Sequence, residues 1–502
     1  MFRFQLNRIS LFFVPLVSLG QAQEEAPNEE QADSVGVAEN ISKEARELSY
    51  FRLPWMDEDY DRWSQTGVER RPLTVAQIEA LPARVDNSER DAWQGVGRQG
   101  RINRCSQEGT VAGMLSYEIN AYRSVDGSKA ENSLPSHFSW NLFNKARNSG
   151  AEMIHGLETA YTVGIPSQKT YGGRYNDVIG FWPSGYHVWH DAMRNRIAGY
   201  DFVKVTTPEK LQFAKAWLFN HAGWFESSGG GMLTIDATGV WEEPIKKIPQ
   251  GSYEAGKHLW SDWGPKYGGH VMCVVGYDDQ VGFDVNQDGK ITNDIDINED
   301  GLITIADYER GAFIVANSWG DDWADEGKAY VLYRCLMSRS SFWDRGPFMG
   351  YAVPSTRQPR ATVRFVAQHD QRDRIQLDLA LIDRNQTRYV MDTHGLFQYS
   401  GSVPLGGPGE ENKDFEWGLD LTRLAEQTGE NFEEILKDLQ LGKAKLEISF
   451  SVRKSRKKGE PKGTLKVVEL MFWDKSDRNI SSEMILSQEE PLSEPLKILY
   501  PR

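Results

Sequence analysis

Cysteine is nearly absent: there are three in 502 residues. No disulfide framework can staple this fold, and the odd count leaves at least one thiol outside any intrachain bridge. A surplus of positive charge is missing too. Lys and Arg number 57 against 72 Asp and Glu, a net charge of −15. That balance repels a phosphate backbone and excludes nucleic acid as a main partner. Long apolar runs are missing after residue 22, so no later segment can cross a bilayer as a helix. What remains is 39% hydrophobic and 26% charged residues, the balance of a folded, soluble chain. The length suits two or three domains.

The N-terminus has a targeting pattern. Arg3 and Arg8 precede an apolar run, Ile9 to Leu19, and Gly20 and Ala22 follow at signal-peptidase spacing. Residues 1–22 are expected to be a signal peptide, and the mature chain to be secreted, periplasmic or extracellular, with no membrane span. An uncleaved anchor is the alternative, but the run falls short of the ~20 residues a span needs. Residues 23–80 read as an acidic leader or short propeptide. A compact mixed region follows over 81–354. It has helical periodicity at 105–122 and 208–220 and strand-like runs at 271–277, 313–316 and 329–333. Residues 354–359 read as a linker. Beyond it, Ile375, Leu377, Leu379 and Leu381 alternate along 374–382, and Leu446, Ile448, Phe450 and Val452 alternate with polar residues. That period of two predicts antiparallel strands. Residues 360–502 are expected to form a β-rich accessory domain, sandwich-like, with one helical insert near 421–439.

Three separated segments carry the chemistry. The first runs from Gln99 to Cys105 and leads into a helical stretch. The second runs from Gly268-Gly269-His270 to Tyr277. The third is Asn317-Ser318-Trp319-Gly320, with Trp323, Gly327 and Tyr330 beyond it. A thiol at a helix start feels the positive end of the dipole, which favours thiolate. An imidazole can hold the thiol's proton, and a carboxamide can fix the imidazole's orientation.

In order and context these segments resemble the papain-like cysteine peptidases. Leu81 to Asp86 resembles the start of that family's mature enzyme. The resemblance covers roughly 81–354. It implies an α+β fold of two lobes, one helical and one β-barrel-like. It also implies a nucleophile at Cys105, a general acid–base at His270 and an orienting amide at Asn317, shielded by Trp319. The Gln99 side chain and the Cys105 N–H would hold the oxyanion, at about 3 kcal/mol per donor. Ser149-Gly150-Ala151 resembles the loop that pairs with substrate backbone, with Met153 lining a neighbouring pocket. The chain departs from the family in several places. Ile102 stands where the family has a disulfide cysteine, Ser106 replaces an aromatic, and no inhibitory propeptide pattern precedes Leu81.

Between His270 and Asn317 lies a second constellation, at 278–310. One loop offers Asp284, Asn286, Asp288, Gly289 and Lys290. The other offers Asp296, Asn298, Asp300, Gly301, Leu302 and, at its twelfth position, Asp307. Oxygen ligands at positions one, three, five and twelve, with glycine at six, suit calcium, and both loops resemble dockerin or EF-hand loops. In the first, position twelve is Ile295, flanked by Asp294 and Asp296. The two loops start twelve residues apart, which leaves no room for a helix between them. A solvated acidic loop is the bland alternative. Calcium would be structural, with no cofactor needed for catalysis.

Cys273, Cys335 and the remaining histidines read as structural. His187 and His190 could be a metal pair, though no third ligand stands out. The basic run 453–458 reads as a hairpin tip. Taken together, the sequence predicts a monomeric cysteine endopeptidase acting on protein or peptide substrates. Two alternatives remain open: a catalytically silent, calcium-dependent binding or adhesion protein, and an acyltransferase using the same residues.

Overall fold

The computed structural model describes residues 72–172, 178–237, 240, 244–263, 269–338, 347–355, 357–453, 462–492 and 495–501. The expected signal peptide, most of the leader, Gly268 and the basic run beyond Arg453 lie outside the described residues. Among the described residues, no helix is long and apolar enough to cross a membrane.

The fold is mixed α+β. Nine strands make the first sheet: β1 (Arg84–Asp86), β2 (Ile197–Val203), β3 (Leu233–Asp236), β4 (Lys246–Lys247), β5 (His258–Trp260), β6 (Val271–Gly282), β7 (Arg310–Ala316), β8 (Lys328–Leu332) and β9 (Met349–Pro354). Their order is β2-β9-β3-β6-β7-β8-β5-β4, with β1 also paired to β6. The β6 strand is central. Its first eight residues are all buried, which explains a near-continuous apolar run where a half-buried strand would alternate. The β6–β7 pairing sets Cys273 opposite Ala316. The segments carrying His270 and Asn317 are therefore neighbours at one end of the sheet.

A helical run starts at Cys105. It is α-helical over Cys105–Gln107, π-helical over Glu108–Leu115 and α-helical again over Ser116–Arg123. Val111, Met114, Leu115 and Tyr117 have no exposed surface. A helix buried on every side needs no amphipathic stripe. It lies against β6 through two glycines. A Cβ on Gly109 would sit 3.0 Å from the Met272 backbone, and one on Gly113 would sit 2.8 Å from Cys273 Cβ. Helices Ser136–Phe143 and Met153–Thr162 pack against this run. Helix Pro208–Asn220 forms as its sequence predicts, with Thr207 accepting from Lys210 N and proline in the first turn.

Two further antiparallel sheets follow residue 360. One contains β10 (Ala361–His369), β13 (Phe415–Asp420), β15 (Gly463–Trp473), β16 (Asn479–Leu486) and β17 (Glu490–Pro491). The other contains β11 (Ile375–Ile382), β12 (Arg388–Asp392), β14 (Lys445–Val452) and β18 (Leu496–Tyr500). Their apolar faces meet, with Phe365 edge-on to Phe450 at 5.6 Å. The two alternating segments pair with each other, Leu379 opposite Ile448. Where one helical insert is expected there are two short helices, Thr422–Glu426 and Phe432–Gln440. Gly429, at φ +71°, lies between them.

These sheets are joined to the preceding region by more than a linker. Arg196 and Asp420 form a buried ion pair at 2.6 Å. Tyr186 Oη and Thr362 Oγ1 are 2.6 Å apart. Gly185 N donates to Glu416 O, Trp182 N to Gly406 O and Lys145 N to Tyr399 O. Arg423 lies over the Tyr161 ring and donates to Tyr161 O at 2.8 Å.

Candidate active site

Cys105 is the first residue of the buried helical run and is half-buried. Burial raises its thiol above the ordinary cysteine value. Backbone N–H groups of Val271 and Ser106 pull it partway back, and the Asp236 carboxylate pushes it up again. The net direction opposes the thiolate bias expected of a helix start. The helix start at Cys105 packs against β6, whose first residue follows His270. This approach depends on the glycine contacts at Gly109 and Gly113.

His270 is 1% exposed, and its Nε2 lies 2.8 Å from Asn317 Oδ1. Asn317 Oδ1 also accepts from Ser318 N at 2.8 Å, which identifies it as the carbonyl end of the amide. Nε2 must therefore carry the ring hydrogen, leaving Nδ1 as the basic nitrogen. Burial drives the imidazole down to about 4, against the opposing effect of the Asn317 hydrogen bond. The Trp319 ring lies 5.2 Å from the imidazole at 31°, and Trp323 stands edge-on behind it.

Gln99 completes the cluster. Its Nε2 donates to Ile102 O at 3.0 Å, and its Oε1 accepts from Ser318 Oγ. Its backbone N donates to Ser318 O at 2.8 Å. The Gln99 loop and the Asn317 segment are thus bonded edge to edge. Gly150 is exposed with open space at its Cβ direction, and Ala151 is half-buried. Trp140 Nε1 donates to Ser149 O, anchoring that loop. Met153 is 4% exposed and belongs to the core.

Comparison with known proteins yields likeness in structure only. Xylellain, a cysteine protease from Xylella fastidiosa, is 17% identical with a TM-score of 0.37, over 61% of this chain and 96% of that one. The bromelain protease from Ananas comosus, in complex with the E64 inhibitor, is 13% identical with a TM-score of 0.34, over 55% and 100%. Digestive procathepsin L 3 of the Tenebrio molitor larval midgut is 14% identical with a TM-score of 0.35, over 64% and 89%. No protein-family model and no curated protein matches the chain.

The acidic segment between β6 and β7 folds as two copies of one turn. In the first, Asp284 accepts from Asp288 N and Gly289 N, and Asp288 accepts from Lys290 N. In the second, Asp296 accepts from Asp300 N and Gly301 N, and Asp300 accepts from Leu302 N. Gly289 and Gly301 turn the chain at φ +82° and +87°. Asn286 and Asn298 accept from Asp288 N and Asp300 N. Asp307 closes the second loop, accepting from Ile297, Asn298 and Thr304 N–H groups. Burial would raise its carboxyl, but these donors outweigh burial and hold it below the ordinary value.

Sequence reasoning missed the residue that closes the first loop. It is Glu309, fully buried, which accepts from Val285 and Asn286 N–H at Oε1 and from Thr292 N–H at Oε2. Neither Asp294 nor Ile295 fills that place. The signal was the Asp-Tyr-Glu run at 307–309, where the second carboxylate follows one that already has a position. The loops hold hard oxygen donors around tight turns, as a calcium site requires. Among the described residues, no three His, Cys, Asp or Glu side chains form a ready-made metal cage. His190 stacks on Trp473 at 3.9 Å and faces Asp477, while His187 is exposed. The two histidines do not share a site.

Proposed function

We propose that this chain is an exported cysteine endopeptidase of papain-like two-lobed architecture, carrying a calcium-stabilised insertion and a β-sandwich accessory domain. The observation that carries the reading is the His270–Asn317 hydrogen bond at the end of β6 against which the helix starting at Cys105 packs. Cys105, His270 and Asn317 are far apart in sequence, and the packing of their segments at one end of β6 supports giving them the roles of nucleophile, base and orienting amide.

Burial favours the neutral thiol and the neutral imidazole. A bound carbonyl lets the Cys105 proton pass to His270 Nδ1 as sulfur attacks carbon. Asn317 keeps Nε2–H engaged, so the imidazolium stays aimed at the leaving nitrogen and returns the proton to it. The acyl group then sits on Cys105, and His270 activates water to release it. The oxyanion of each tetrahedral intermediate would be held by the Cys105 N–H and the second Gln99 Nε2 hydrogen. The loops at 284–309 would hold calcium through Asp284, Asn286, Asp288 and Glu309, and through Asp296, Asn298, Asp300 and Asp307. Carbonyls of Lys290 and Leu302 would add to these ligands. The ion would order the β6–β7 connection and take no part in the reaction.

The test is a peptide-library digest with wild type beside Cys105→Ala and His270→Ala. Cleavage should vanish in both variants, with melting unchanged. Cleavage that survives in Cys105→Ala defeats the reading. Labelling of wild-type Cys105 by a thiol-directed epoxide separates it from a silent binding protein.

A further inference from the structure

A buried ion pair that the reaction does not use lies beneath the nucleophile. Arg104 precedes Cys105, and Glu108 follows one turn later. Their side chains are 8% and 7% exposed. Arg104 Nε donates to Glu108 Oε1 at 2.7 Å and to Ser136 Oγ at 3.1 Å. Ser136 Oγ donates to the same Glu108 oxygen at 2.7 Å. The outer edge of the guanidinium grips backbone: Nη1 donates to Gln99 O at 3.1 Å and Nη2 to Arg98 O at 2.9 Å. Glu108 Oε2 presses on the same loop, where a Cβ on Gly97 would lie 2.4 Å away.

Taking two charges out of water is costly, and well-packed apolar residues often serve stability as well. The pair's geometry suggests a different use. Two of its donors hold consecutive carbonyls of the loop that carries Gln99. All three cysteines are free thiols, so no disulfide fixes that loop. On its far edge the loop is bonded to the Asn317 segment, Gln99 N to Ser318 O and Gly320 N to Gly97 O. The Gln99 backbone is thus held from both sides, and Arg104 supplies the side nearer the nucleophile.

We propose that Arg104, held in plane by Glu108 and Ser136, is the positioning residue that sets the Gln99 carboxamide where the oxyanion forms. The inference rests on the peptidase reading above. A lysine in its place could not span both carbonyls and Glu108, because it lacks the planar fork.

The experiment compares Arg104→Lys, Arg104→Met and Glu108→Gln with wild type. The ceiling on the loss is that of an oxyanion donor, about 10²-fold in kcat. Both Arg104 variants should approach it with KM unchanged, and Glu108→Gln should show a smaller loss of the same kind. Inhibition by a peptide aldehyde, whose adduct with Cys105 bears the oxyanion, should weaken in parallel. Alkylation of Cys105 by iodoacetamide displaces iodide and forms no oxyanion, so its rate should hold. Arg104→Met added to Gln99→Ala should cost nothing further. Additive losses, or alkylation falling in step with kcat, would overturn the proposal. Full turnover in Arg104→Lys would overturn it alone. A wild type that neither cleaves peptides nor binds the aldehyde would defeat the peptidase reading, and this inference with it.

Discussion

Two pKa directions at the candidate site set an expected pH profile. In the proposed mechanism His270 must be unprotonated to accept the thiol proton, and burial pushes its imidazole down to about 4. Cys105 is displaced upward from the ordinary value of 9.0. One proton is shared by the pair between these limits, and that is the active form. Activity should therefore rise through about pH 4 and fall only above the usual cysteine range. Asn317→Ala removes the hydrogen bond that raises His270, so the acid limb should move lower while the rate falls. A kcat/KM profile of both proteins checks this, and an acid limb near pH 6.5 would contradict it. The thiols should differ as well. Cys273 and Cys335 are fully buried and raised well above the ordinary value, so native alkylation should mark Cys105 first. At this scale the sequence singled out Cys105, His270, Asn317 and Gln99 as candidates, because their neighbours form recognisable strings. It did not show Arg104 and Glu108. An i,i+4 ion pair reads as a solvated helix face until the packing shows it buried.

Two elements can be tested as units. The helical run beginning at Cys105 reaches β6 only because Gly109 and Gly113 lack side chains. Gly113→Ala would force a Cβ to within 2.8 Å of Cys273 Cβ, an overpacking that costs about 1–3 kcal/mol. Turnover should fall further than stability, since the helix start carries Cys105, the proposed nucleophile. Cys273→Gly in the same chain should restore both, as read by melting and kcat. The acidic insertion offers a second test. Calcium bound only to the folded form raises the melting temperature by mass action. Glu309→Gln should remove the first loop's share of that shift and Asp307→Asn the second's, compared with and without chelator. An undiminished shift in Glu309→Gln would remove Glu309 from the ligand set. The turn of the second loop was legible because its closing carboxylate, Asp307, falls at the expected twelfth position. The first was only partly so, because its closing carboxylate, Glu309, comes from beyond the second.

At the scale of the whole molecule, the sequence marked the change of character near residue 360 but not how tightly the two parts join. No pattern in the sequence marks Tyr186, Trp182 and Trp189 as seam residues, and the fold shows that Thr362, Phe415 and Trp473 meet them. Arg196→Met would strand Asp420 in a buried seam, a cost of about 3–5 kcal/mol, whereas Arg196→Met with Asp420→Leu should recover much of it. Denaturant midpoints of the three proteins check this. The Lys145–Tyr399 bond has a wider reach, since residue 145 leads into the Ser149–Ala151 loop. Removing everything after Ser355 should therefore lower affinity for extended peptides, read as a raised KM beside an unchanged KM for a short substrate. The same seam bears on what a protease cut between Pro354 and Ala361 would produce. Such a nick severs one covalent connection and leaves the Arg196–Asp420 pair, the Trp182–Phe415 contact and the backbone bonds at Gly185 and Lys145 in place. The product would run as two fragments in denaturing electrophoresis and as one particle in gel filtration.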